Sequence, residues 1–169
     1  MNFSIASRDL VLSKEGIFDK AGLQITSFQK ESESEEYSAF RFQLNNKNIC
    51  YREAKTTPTK TGQFVTLWKR NKSGIIEPFD YSDNIDFVIV TVRKDQNRGD
   101  LIFPKKTVLE EGIFSTEKKE GIRATRVYPP WDETTSKQAQ KTQKWQLDYF
   151  FNFSEESKID IEKLKKVFI

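Results

Sequence analysis

Residues 85–93 read Ile85-Asp86-Phe87-Val88-Ile89-Val90-Thr91-Val92-Arg93, and this stretch decides the fold. From Phe87 to Val92 no position is charged, and the run does not alternate with polar residues. A strand that is apolar on both faces is a strand covered on both faces, so the run predicts the centre of a sheet. Working outward, residues 94–99 are a charged turn, and residues 71–84 are turn-rich around Gly74 and Pro78.

Upstream the period is two. Ser38, Phe40, Phe42 and Leu44 alternate with Tyr37, Ala39, Arg41 and Gln43. Asn45-Asn46-Lys47-Asn48 then supplies a polar turn whose residues tolerate positive φ, and Ile49 to Lys55 resumes, so 37–55 reads as a β-hairpin. After a loop at Thr57–Gly62, Gln63 to Lys69 is a further strand, with Phe64, Thr66 and Trp68 on one face and Val65 and Leu67 on the other. Downstream, Asp100 to Phe103 is a strand stopped by Pro104, Thr107 to Glu111 fits one or two helical turns, and Ile122 to Val127 is a strand closed by Pro129-Pro130. Helices are expected within 4–18, capped by Ser4 or Ser7, over 136–150, and at the C-terminal end after Ser154 or Asp160, with Ile161, Leu164, Val167 and Phe168 as its stripe. Helix, strands, then helices describe an α+β (mixed α/β) fold. It is a single domain over 1–169 with a central mixed or antiparallel β-sheet flanked by helices.

Composition narrows the chemistry. The chain has 169 residues, no histidine and one cysteine, Cys50. Without histidine there is no Ser-His-Asp triad, Cys-His dyad or imidazole base. One cysteine supplies neither an intrachain disulfide nor a thiolate metal cage, so any metal would be a hard one held by oxygens. Apolar residues make up 36%, but 14 Phe, 5 Tyr and 3 Trp bring enough area per residue for a core despite 31% charge. No apolar run approaches the roughly 18 residues of a membrane span, and the first residues lack a signal peptide's basic and apolar regions, so a soluble cytoplasmic protein without a membrane partner is expected.

The balance of 28 Lys+Arg against 25 Asp+Glu is nearly even, yet it is unevenly spread. Between residues 52 and 72 stand Arg52, Lys55, Lys60, Lys69, Arg70 and Lys72 against one acid, Glu53, while Glu31, Glu33, Glu35 and Glu36 precede them in a segment read as a solvated loop. Basic residues interleaved with Thr57, Gln63 and a glycine turn suit phosphate, since the cations neutralise it and the hydroxyl, amide and loop N–H groups donate to it. An ordinary charged edge strand explains the same residues. Further along, Arg126 lies on a strand beside Tyr128 and Trp131, and Lys137, Lys141 and Lys144 share one helical face. A basic helix next to aromatic rings can hold a backbone and stack on bases. A solvated lysine face over a core holding Trp131 and Trp145 is the plainer account.

Glu53-Ala54-Lys55 is an acid-x-Lys triplet at the end of a strand, where spacing of two places both side chains on one face. PD-(D/E)XK nucleases use that local geometry to hold a divalent metal and position water. Catalytic Glu36, Glu53 and Lys55, with Glu36 and Glu53 as ligands of Mg or Mn, would be the corresponding set here. The upstream acid of that pattern is normally Asp, and none lies between Lys20 and Asp80. Asp80, Asp83 and Asp86 could serve an oxygen-only metal site, but turn formation and strand capping explain them more cheaply, and they are read that way. The glycines match neither a P-loop nor a dinucleotide fingerprint.

Three stretches resemble the MepB family: Tyr51 to Arg70, which contains Arg52-Glu53-Ala54-Lys55-Thr56-Thr57-Pro58-Thr59-Lys60-Thr61-Gly62-Gln63; Arg126-Val127-Tyr128-Pro129-Pro130-Trp131; and Thr142-Gln143-Lys144-Trp145-Gln146. Glu31, Glu33 and Ser34 before Tyr37 are similar too. The resemblance implies a nuclease-like fold, a link to a multidrug efflux operon and a nucleic-acid role, and it implies that position 53 varies, which favours Lys55, Lys60 and Gln63. The leading expectation is therefore binding of a nucleic-acid backbone, DNA in the first instance, by Arg52, Lys55, Thr57, Lys60, Gln63, Lys69, Arg70, Arg126, Lys141 and Lys144, for which the sequence marks no certain cofactor. A Mg- or Mn-dependent nuclease is the alternative, and a module binding a small ligand near Trp68, Trp131 and Trp145 is the third. Oligomeric state is not set by the sequence.

Overall fold

The structure, a computed structural model, describes residues 3–154 and 158–168. In chain order its elements are α1 (Arg8–Ser13), β1 (Ile25–Lys30), β2 (Phe40–Leu44), β3 (Lys47–Glu53), β4 (Lys55–Thr57), β5 (Lys60–Thr66), β6 (Trp68–Arg70), β7 (Ile76–Pro78), β8 (Phe87–Lys94), β9 (Asn97–Pro104), α2 (Lys105–Glu110), β10 (Ala124–Val127), α3 (Lys137–Leu147), β11 (Phe150–Asn152) and α4 (Ile161–Phe168). The uncharged run is β8, and it does sit inside the main sheet. The order is β1-β2-β3-β8-β9-β11, with β8 parallel to β3 and antiparallel to β9. A mixed sheet with four α-helices gives the α+β fold expected from the element order.

Alternation along the strands builds two cores. Phe40, Phe42, Ile49, Tyr51, Phe87, Ile89 and Ile102 face Leu10, Ile17 and Leu164, so α1 and α4 cover this side. Cys50, Val88, Val90, Val92, Leu101 and Phe103 face the other way, toward Val65, Leu67, Val108 and Val127. This second side is covered by α2 and by a three-stranded sheet of order β10-β5-β4. Each buried aliphatic or aromatic side chain contributes about 1.5–3 kcal/mol, and β3, β8 and β9 all contribute to both sides. Cys50 is one of those buried apolar residues.

The hairpin of β2 and β3 closes on Asn45 (φ 46°) and Asn46 (φ 71°), two left-handed residues in a two-residue turn whose twist matches the strands. Ser7 caps α1, its hydroxyl accepting from the Leu10 N–H at 3.2 Å, and the helix then widens into a π turn at Lys14–Phe18. Ser136 caps α3 in the same manner, accepting from the Ala139 N–H at 3.1 Å.

Three expectations are corrected. The strand read over Gln63 to Lys69 is two strands: β5 ends at Thr66, and β6 pairs with β7 in a two-stranded sheet of its own. The helix over 136–150 ends at Leu147, and Phe150 belongs to β11, paired with Leu101. Without β11 the outer backbone edge of β9 would lie open, and aromatic residues such as Phe150 and Phe151 suit a strand that closes it. Glu53 and Lys55 do not share a strand: β3 ends at Glu53, the Ala54 N–H donates to the Thr91 carbonyl at 3.0 Å, and Lys55 opens β4 in the other sheet. Of the two possible caps for the last helix it is Asp160 that serves, accepting from the Lys163 N–H at 3.0 Å.

Candidate nucleic-acid interface

The six basic residues of 52–72 meet different fates. Arg52 is wholly buried, and its guanidinium donates to Glu31 through Nη1 at 2.9 Å and Nη2 at 3.2 Å and to the Thr66 carbonyl through Nε at 3.1 Å. Arg41 shares the same carboxylate at 2.9 Å. Arg52 is therefore removed from the phosphate-contact set: as a side chain with no exposed surface it is a structural cation, and Glu31 is its counter-ion rather than a solvated loop acid. Lys69 is held by Asp80 at 3.0 Å and Asp83 at 2.7 Å, and these acids together raise its pKa against the effect of burial. Arg70 pairs with Glu33 at 3.1 Å and donates to the Gly74 carbonyl. Asp86 accepts from the Asn48 N–H, which fits the capping role read for it.

Lys55, Lys60 and Lys72 are different. They are exposed, and none of them takes part in an ion pair among the described residues. Lys55 extends over the Tyr37 ring, 5.2 Å from its centroid. Lys55 and Lys60 stand at opposite ends of the β4–β5 hairpin, where Lys55 pairs with Phe64 and Thr57 with Lys60. Arg126 on β10 staples that hairpin from beside it, donating to the Thr57 hydroxyl at 2.8 Å and the Thr61 carbonyl at 3.3 Å. Gln63 is buried and donates to the Arg93 carbonyl at 3.0 Å, tying the hairpin to the end of β8. Gly62 has φ +85°, and a Cβ there would stand 2.6 Å from the Tyr128 ring, so only glycine lets the tip close on that ring.

Between the hairpin and the loop after β10 lies a cavity of about 490 Å³. Lys60, Gln63, Lys94, Trp131, Asp132 and Glu133 are among its lining residues. The loop is fixed by glutamines on α3. Gln143 donates to the Pro129 and Asp132 carbonyls, both at 2.9 Å, and buried Gln146 accepts from the Tyr128 N–H at 2.8 Å and donates to the Arg126 carbonyl at 3.0 Å. Burial raises the pKa of the Asp132 carboxyl, and the Lys94 charge opposes the rise. Lys94, Asp132 and Glu133 do not stand out in the sequence. The signal for the two acids is their place directly after Trp131, whereas Lys94 looks like any turn lysine. Lys141 and Lys144 are exposed on α3 and lie outside the cavity lining.

The nuclease set is not assembled. Among the described residues, no group of three or more Asp, Glu, Cys or His side chains is arranged to hold a metal ion. Glu36 is exposed, and its charge acts on Tyr37. Glu53 accepts from the Ser7 and Tyr51 hydroxyls, and its pKa is raised by burial first and by the Asp9 charge as well. The donors present therefore do not fit a Mg or Mn ion held by Glu36 and Glu53. The three tryptophans do not share a pocket either: Trp145 packs on Phe103 at 5.3 Å, Trp68 lies under Arg70, and Trp131 alone of them lines the cavity.

Fold and site together define a mixed-sheet α+β domain that presents a cationic hairpin beside an aromatic, acid-rimmed cavity. The chain belongs to the MepB-like family, whose family model matches residues 31–152. It is similar to the crystal structure of MepB, with a TM-score of 0.77 and 31% sequence identity over 90% of this chain and 99% of that one. No curated protein matches it. No helix among the described residues is long and apolar enough to cross a membrane.

Proposed function

We propose that this protein binds the sugar-phosphate backbone of a nucleic acid, DNA in the first instance, through the β4–β5 hairpin and the surface around it. The observation that carries this reading is the set of exposed cations in no ion pair among the described residues, Lys55, Lys60 and Lys94, around the hairpin, while Arg52, Lys69 and Arg70 are neutralised in place. Thr57 and the hairpin N–H groups supply neutral donors next to them, and Lys141 and Lys144 extend the positive surface along α3. Each phosphate neutralised releases counterions, so affinity falls steeply with salt.

The test is fluorescence anisotropy of labelled duplex and single-stranded oligonucleotides across a salt series. The reading requires binding at low salt that weakens as salt rises, and weaker binding in Lys55→Ala and Lys60→Ala. No binding at low salt, or unchanged affinity in both variants, overturns it.

A further inference from the structure

We infer that the cavity beside the hairpin tip takes one unpaired nucleotide and selects a base that carries an exocyclic amine, cytosine, adenine or guanine, over thymine or uracil. The inference rests on the backbone-binding reading and deepens it.

The wall chemistry is the argument. Lys60 and Lys94 bring two exposed cations to the cavity, enough for the phosphate of one nucleotide. Opposite in character are the acceptors. Asp132 and Glu133 present carboxylates, while Gln63, one of whose amide hydrogens goes to the Arg93 carbonyl, keeps an oxygen and a second N–H. A ligand satisfying this wall must carry an anion and hydrogen-bond donors on the same small molecule. Nucleotides with an amino base do so, while the O4 of thymine or uracil would set an acceptor against acceptors. Trp131 adds a flat apolar surface. Its ring is set edge-to-face on Phe150 at 5.8 Å, and its backbone loop is pinned by Gln143, so it is held before a base arrives.

An unpaired base is required because a paired base is stacked on both faces and cannot leave the duplex to lie against Trp131. A concave cavity of about 490 Å³ admits a nucleotide out of the stack, not a duplex. The shared chemistry is an amino-base nucleotide phosphate, and DNA, RNA and free mononucleotide are its possible sources.

The test measures affinity for (dC)12, (dA)12 and (dT)12, for (rC)12 and (rU)12, and for dCMP and dTMP, with tryptophan fluorescence as a second readout. The amino-base oligomers are expected to bind about tenfold tighter than (dT)12, the scale of one good base contact. Asp132→Asn with Glu133→Gln should bring that ratio close to one, with (dT)12 affinity raised as two negative charges leave the cavity, and quenching by (dC)12 should disappear in Trp131→Phe. Preference confined to the deoxy or the ribo series identifies the polymer, and dCMP bound as tightly as (dC)12 identifies a free nucleotide as the ligand. Should Trp131→Phe fail to fold, the two carboxylate substitutions, which change charge with little change of shape, still decide the matter. Binding of all oligomers with equal affinity overturns this inference and leaves the backbone reading standing. Binding of none overturns both.

Discussion

Arg52 and Lys60 lie eight positions apart in one basic segment, and the fold uses them in opposite ways. Arg52 is buried against Glu31, with every guanidinium nitrogen bonded, whereas Lys60 projects from a hairpin with no acid paired to it among the described residues. Lys69 and Arg70 follow Arg52, and Lys55 and Lys72 follow Lys60. The difference teaches that a run of positive charge in a sequence is not yet a surface. The acids that neutralise half of this one come from 31–33 and 80–83, one segment before it and one after. What remains uncommitted is the part that can attract an external anion.

The strongest way to break the division is to take the acid from the buried pair. Glu31→Ala leaves Arg52 charged in the core beside Cys50 and under Phe79, with nowhere to go. Removing one partner of a buried pair costs about 3–5 kcal/mol, and Arg41 loses its acceptor in the same step. A urea melt should show a loss of that order. A midpoint unchanged from the native protein would mean that Arg52 is not held as a buried ion.

The same rule sorts the acids. Asp100 is wholly buried, accepts from the Ser13 and Thr91 hydroxyls, and has no cation on it among the described residues. Burial pushes its pKa up to about 7, with the charges of Glu53 and Asp9 adding to the rise. The folded state then holds a proton that the unfolded chain releases near pH 4. Its stabilising contribution is complete below that value and is lost as the pH rises toward about 7. Asp100→Asn should flatten stability over that window, seen as melting temperatures that no longer fall between about pH 4.5 and 7.5. If the native protein shows no such fall, or the variant keeps it, the proton does not reside on Asp100.

How much of this is legible in the sequence depends on how local the cause is. Phe87 to Val92 needs only its own residues to declare a buried strand, and Asn45-Asn46 only its own backbone to declare a turn. The burial of Arg52 is not legible, because its cause is a carboxylate 21 positions away, and an arginine on a strand reads as exposed until its partner is known. The break at Ala54 is hidden for a related reason: nothing in its own residues marks it, and the Ala54 N–H donates to Thr91 where the chain leaves one sheet for another. Phe150 fits the helical period well and is claimed by the open edge of β9. At the candidate site, the lysines and Trp131 are visible as residue types, but their grouping depends on glutamines of α3 that hold a loop by its carbonyls. Amides on a helix carry no mark of that task in a single sequence.

A smaller perturbation sharpens the division by changing geometry and no charge. Gly62→Ala demands a left-handed alanine and drives its Cβ into the Tyr128 ring. The strain is about 1–3 kcal/mol and falls on the hairpin tip rather than on the core. The protein should stay folded, with weakened oligonucleotide binding although every lysine is intact. Binding equal to that of the native protein would show that the cations need no fixed hairpin to act.

The smallest effect is the most discriminating one, because it compares two lysines within the same segment. Lys60→Ala should reduce the slope of log affinity against log salt by about one, as expected when one phosphate is no longer neutralised. Lys69→Ala should leave that slope unchanged, because its charge is already balanced by Asp80 and Asp83, and should instead lower stability as those two acids lose their shared cation. Anisotropy titrations between about 50 and 200 mM salt cover the range over which such an effect is readily seen. Equal slope changes in the two variants would mean that the ion pairs around Lys69 open to release a cation for the ligand, and paired and unpaired cations would then no longer be separate populations on this surface.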